Sequence, residues 1–215
     1  MLCAILNERQ EFIMRFTFTT IFVFLLFPAI SQDTLKVNFL YGSKPKWDYR
    51  DTEKSWFGGV LGGHVGIEGD SGKILNFINK GNFHVFSNKN NMHSRFALHG
   101  SRNFYEILGG KSDSVKKAIV FVPITKEQKQ IFDSLSSAYL NQTPYDYALF
   151  GMRCGAAAYE ILAQLGILPG YSIKKTSKKI LYPEKLRKRL FEKAVANRWP
   201  IWRQNGSSKR IWEKD

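Results

Sequence analysis

The stretch GGVLGGHVGIEGDSGKILNF, Gly58 to Phe77, sets two short apolar runs on either side of GDSG. A turn rich in Gly and Asp between such runs is the signature of a β-hairpin. Centred on Asp70, the hairpin places His64 opposite Asn76, Gly66 opposite Ile74 and Glu68 opposite Gly72. Because side chains alternate with period two, His64 and Asn76 share one face, while Val65, Ile67, Leu75 and Phe77 take the other. Opposed Cβ atoms in such a pair lie ~4.5–5.5 Å apart. The Asn76 amide oxygen can therefore accept from one imidazole nitrogen, which fixes the tautomer and leaves the other nitrogen to act as a base. Glu68, on the same face but close to the turn, is the alternative orienting group, and Asn76 is the favoured one.

A second stretch, YDYALFGMRCGAAAYEIL (Tyr145 to Leu162), places Cys154 where a helix begins. The first turn of a helix carries unpaired N–H groups and the positive end of the macrodipole, and both favour a thiolate. The same N–H groups can stabilise an oxyanion. Gly155 and the alanines after it leave room for a carbonyl to approach the sulfur, and Tyr145 and Tyr147 are candidates to line the site, a Tyr hydroxyl being a further oxyanion donor. The competing reading of Cys154 is an inert core thiol, since it shares a helical face with Ala158, Ile161 and Leu165.

Residues 15–31, RFTFTTIFVFLLFPAIS, read as a secretory leader: Arg15 begins it, an apolar run follows, and small residues precede Gln32. The run falls short of the ~20 residues that span a bilayer. Glu8 and Glu11 do not suit the start of a leader, so Met14 is a candidate true start. Removal of residues 1–31 takes Cys3 away and leaves Cys154 as a lone thiol, which excludes an internal disulfide. The formal net charge of +14 favours anionic neighbours, such as an envelope polymer or a membrane surface. Nucleic acid is the least favoured of these, since charge alone supports it.

The rest of the chain reads as one domain over residues 32–198, followed by a basic, aromatic tail over 199–215. TLKVNFLYG (34–42), NFHVFS (82–87) and KAIVFVPI (117–124) read as strands, and NKNNMHSRFALHGSRN (88–103) as a loop. Thr125 and Gln128 form a capping box ahead of a helix whose inner face is Ile131, Leu135 and Ala138. The helix that opens at Cys154 stops at Gly166, and a last helix starts at Pro183. The fold class is α+β, an antiparallel sheet with helices packed on one side. His84, His93 and His99 match no familiar ligand spacing, so no metal and no cofactor are expected.

A GGHVGIE strand, a polar residue twelve positions after the histidine, and a much later helix-opening cysteine resemble the circularly permuted papain-like hydrolases, of the NlpC and lecithin–retinol acyltransferase type. The resemblance covers roughly Leu61 to Leu165. It implies a permuted papain-like fold with Cys154 as nucleophile, His64 as base and Asn76 as the polar third member. It also implies attack on an amide or ester bond, in a cell-wall peptide or in a lipid. A non-catalytic module that binds an anionic envelope polymer is the alternative from a different class. Mass spectrometry of exported protein should find a chain that begins near Gln32 and lacks Cys3.

Overall fold

The structure, a computed structural model, describes residues 33–88 and 90–215, so the expected leader lies outside the described residues. Strand β1, Asp33–Leu40, buries Leu35, Val37 and Phe39 on one face. It is flanked by β3, His64–Glu68, and β6, Lys117–Ile124. With β4, Lys73–Asn79, β5, Ser94–Gly100, and β7, Ile201–Gln204, they form a six-stranded antiparallel sheet ordered β5-β4-β3-β1-β6-β7. A separate two-stranded sheet pairs β2, Ser43–Pro45, with β8, Arg210–Trp212.

Five helices occur among the described residues: α1 Ser101–Tyr105, α2 Lys126–Asn141, α3 Cys154–Gln164, α4 Ile173–Lys179 and α5 Pro183–Ala196. The main core joins the sheet face of Leu35, Val37, Phe39, Val65, Ile67 and Phe77 to residues of α2, α3 and α5. Phe132, Ile161, Leu162, Leu186 and Leu190 are the principal helical contributors. A smaller cluster gathers Leu40 and Ile74 with Trp56, Val115, and Phe104 and Tyr105 of α1. The fold is therefore mixed α+β, with a short helix and the small sheet adding a second apolar cluster to the one the long helices cover.

Several elements differ from the sequence reading. NFHVFS is a loop, with one isolated bridge between His84 and Ala148 and backbone hydrogen bonds from Leu149 to His84 and from Phe150 to Val85. The third strand of the meander is Ser94–Gly100, which pairs with β4 along its whole length. Its SRFALHG sequence, with only Phe96 fully buried, has no clean period-two alternation to mark it. The α2 capping box forms as expected, but the buried residue is Phe132, while Ile131 is 42% exposed. The inward stripe is Phe132, Leu135 and Tyr139, one position round from the expected one. Residues 199–215 are not an appendage, because they supply β7 and β8 to the two sheets. Arg187 of α5 is fully buried by this closure. It donates to Glu213 Oε2 at 3.0 Å and to the Lys214 carbonyl at 2.8 Å, and stacks 3.9 Å from the Tyr41 ring centre.

The hairpin register also moves. Glu68 faces Ile74, Ile67 faces Leu75, and Gly66 faces Asn76. The turn is centred one residue later than Asp70, with Gly72 in the left-handed region at φ 65°. The shift in pairing is two residues, so every side chain keeps its face. What changes is the path between His64 and Asn76, which is now diagonal across Gly66. An ideal Cβ at Gly66 would sit 2.5 Å from Ile74 Cγ2, 2.8 Å from the Leu75 carbonyl oxygen and 2.9 Å from Phe104 Cε2. Gly66→Ala should therefore cost about 1–3 kcal/mol through overpacking, read as a lower midpoint in denaturant unfolding.

Candidate active site

The start of β3 and the start of α3 meet, and they carry the two residues singled out from sequence. His64 is the first residue of its strand and Cys154 the first residue of its helix. The Cys154 sulfur lies 4.0 Å from the Gly63 carbonyl oxygen, one residue before the histidine. Arg153 occupies the N-cap position, and its own side chain does not cap the first-turn N–H groups.

Asn76 connects to His64 as expected, despite the altered register. His64 Nε2 and Asn76 Oδ1 are 2.9 Å apart. The amide orientation follows from its other contacts: Nδ2 lies 3.1 Å from the carbonyl oxygens of both Ile74 and Ala97. Only a donor satisfies two carbonyls, so Oδ1 must be the atom that faces the ring. It accepts the Nε2 proton, and Nδ1 is the imidazole nitrogen left for the thiol. Nδ2 of Asn76 also lies 3.1 Å from Nδ1 of His99 on β5. His99 can accept there only when neutral, and burial, with His64 and Arg95 nearby, holds it below the usual histidine value. His99 was visible in the sequence as one of three stray histidines. Its place beside Asn76 depended on a strand that was not recognised.

His64 and Cys154 each shift the other's titration. Burial pushes the His64 imidazole down, but the neighbouring thiolate, its hydrogen bond and Asn76 leave it above the ordinary value. Burial pushes the Cys154 thiol up, and the charge and hydrogen bond of His64, with help from Tyr147 and Arg153, bring it below the ordinary value. The Tyr147 hydroxyl lies 3.9 Å from the Cys154 sulfur. Burial, then the thiolate, keeps that hydroxyl protonated far above neutral pH, so it is a standing donor. Its ring stacks on Phe77 with centroids 5.2 Å apart.

A cleft of about 300 Å³ opens on this group. Phe57, Ile78, Phe83, Ile107 and Leu108 form apolar walls, and His64 and Tyr147 form the polar end. Cys154 itself is 3% exposed, behind that end.

Three of the expected site residues take other places. Glu68 pairs with Lys36 at 2.7 Å and makes no contact with the imidazole, so it is not the orienting group. Tyr145 packs among Phe77, Phe96 and Tyr139, and its hydroxyl is buried without a hydrogen-bond partner. It is a core residue behind the site. Gly155 opens no path to the sulfur: an ideal Cβ there would lie 3.1 Å from both the Pro183 Cα and nitrogen. Its role is to let α3 approach the start of α5.

Residues missed from sequence hold the cleft wall in place. Asp146, 1% exposed, accepts from His84 Nδ1 at 2.5 Å and from the backbone amides of Asn88 and His93 at 3.0 and 3.1 Å. This ties the 82–93 loop, which carries Phe83, to the segment that leads into Cys154. Asp146 sits between two tyrosines that looked more informative, and no local pattern marks it. No cluster of three or more His, Cys, Asp or Glu suited to a metal occurs among the described residues.

No protein-family model, curated protein or solved structure matches the chain.

The thiolate is gained as pH rises through the lowered Cys154 value, and the imidazolium is lost as pH rises through the raised His64 value. Alkylation by iodoacetamide should therefore set in below the ~8.5 of an ordinary cysteine. His64→Ala should move the midpoint of that rate profile upward.

Proposed function

We propose that the protein is a cysteine hydrolase or acyltransferase that acts on an amide or ester bond, built on a permuted papain-like fold. The observation that carries this reading is the juxtaposition of a helix-opening Cys154 with His64, whose far nitrogen is held by Asn76 at 2.9 Å. The six-stranded antiparallel sheet and the order histidine before cysteine are in keeping with the permuted arrangement.

The Cys154 thiolate attacks the carbonyl carbon, and charge develops on the carbonyl oxygen. The Cys154 amide and the Tyr147 hydroxyl are the donors placed to receive it. As the tetrahedral adduct collapses, the imidazolium Nδ1 proton passes to the leaving amine or alkoxide, and a thioester forms. Water, or an acceptor alcohol or amine, then attacks the thioester and gives its proton to His64. The acyl product leaves and the thiolate–imidazolium pair is restored. Asn76 moves no proton; it keeps Nε2 protonated and the ring oriented.

The apolar walls of the cleft suit an acyl chain or a peptide with apolar side chains. The positive charge and the leader-like segment support a place of action outside the cytoplasm, near anionic envelope material. The burial of the sulfur favours a second reading, a binding module that retains the shell of such an enzyme with an inert thiol.

Thiol labelling and turnover of model thioesters and amides separate the two. Cys154→Ser and His64→Ala should each remove activity, the latter by about 10²–10⁴-fold. Cys154→Ser should leave the unfolding midpoint little changed, while His64→Ala, which leaves Asn76 Oδ1 buried without its donor, should lower it with the fold retained. Tyr147→Phe should cost about 10²-fold if its hydroxyl meets the oxyanion. Asn76→Ala should cost less than His64→Ala, and the double variant should be no worse than His64→Ala alone. Full thiol reactivity at neutral pH in His64→Ala would leave the binding module as the better reading.

A further inference from the structure

A second cavity, of about 390 Å³, lies where the loop before Trp56, the 109–115 segment and strand β8 come together. Its lining includes Lys54, Lys111, Lys209 and Arg210, set against a single carboxylate, that of Glu53. Arg210 is 6% exposed and held rigidly. Nε donates to Ser43 Oγ at 2.8 Å, and Nη1 donates to Glu53 Oε2 and to the Lys54 carbonyl, both at 2.9 Å. Its guanidinium carbon stacks 4.7 Å from the Trp56 ring centre. The remaining nitrogen, Nη2, is buried with no acceptor, and so is the indole Nε1 of Trp56. Two unpaired buried donors, both on residues that line one cavity, are an unfavourable arrangement unless an acceptor comes to them.

The three lysines have no carboxylate within ion-pairing distance among the described residues. Lys54 lies along Gly109, which stands at φ 92°; an ideal Cβ there would be 3.0 Å from Lys54 Cδ and 3.4 Å from Nζ. A side chain at 109 would push this lysine from its present course. The Lys209 ammonium sits 5.6 Å from the Tyr49 ring centre. Lysines among the lining residues and an arginine fork with one arm unused match an anion with several oxygen acceptors better than a two-oxygen carboxylate.

We propose that this cavity binds a phosphate group, either as free phosphate or as the headgroup of an anionic phospholipid. None of its lining residues belongs to the Cys154–His64–Asn76 group, so the proposal stands apart from the thiol chemistry. The occupant's oxygens take the Arg210 Nη2 and Trp56 N–H donors, with small side-chain adjustments, and the lysines balance the charge.

The test uses full-length protein at constant ionic strength. Calorimetric titration with inorganic phosphate, against chloride as the control, reads free phosphate. Co-sedimentation with phosphatidylglycerol vesicles, against phosphatidylcholine vesicles, reads the headgroup. Lys54→Gln/Lys111→Gln removes two exposed cations and should leave the unfolding midpoint unchanged. Lys174→Gln/Lys178→Gln on α4 removes the same charge elsewhere. Saturable phosphate binding that weakens at least tenfold in the first pair and not in the second supports a free-phosphate site. Vesicle binding with that dependence, without phosphate binding, supports the headgroup. Absence of both kinds of binding, or equal losses in the two pairs, would overturn the proposal in favour of diffuse surface charge.

Discussion

The hydrogen bond from His64 to Asn76 is the constraint on which the candidate site depends. It runs diagonally between neighbouring strands, beside Gly66, where a side chain would instead crowd Ile74, the Leu75 carbonyl and Phe104. The amide is fixed in turn by two backbone carbonyls, one from its own strand and one from β5. Three strands therefore cooperate to hold one imidazole. The orientation of the ring is a property of the sheet and not of a flexible loop, which is what an effective general base requires.

Placing a thiol at a buried helix start sets two opposing effects against each other. Burial favours the neutral thiol, while an adjacent imidazolium and a hydroxyl donor favour the thiolate. The net shift is toward the thiolate, and the charge of His64 is the largest of the contributions that lower it. Neither residue alone has an ordinary titration; the pair is the titrating unit. A buried aspartate, Asp146, bonds the 82–93 loop to the segment that leads into Cys154.

The parts of this arrangement that were legible in the sequence are those governed by periodicity and local capping. The facing of His64 and Asn76 survived a wrong turn assignment because a two-residue slip preserves strand parity. The α2 capping box, the helix start at Cys154 and Pro183 in the first turn of α5 are local signals and were read correctly. What escaped is non-local. Ser94–Gly100 becomes a strand because β4 offers an open edge, not because its residues demand it. Phe132 replaces Ile131 on the inner face because the sheet fixes how α2 is rotated. Glu68 was removed from the site by Lys36, a cross-strand neighbour that only the β1–β3 register identifies.

The closing strands carry a consequence for the order in which the molecule is assembled. Arg210 bonds to Ser43 across a separation of 167 residues, and Arg187 is neutralised by Glu213. The small sheet cannot nucleate on the growing chain until nearly all of these residues have been made. Until then Arg187 is a charge without its partner, and Trp56 lacks its edge-to-face neighbour Trp212, 5.5 Å away. Contacts of such long separation form late and slow a folding reaction. A nascent chain would thus hold its thiol-bearing helix and meander early, with one flank of the sheet left unfinished until β7 and β8 have been made.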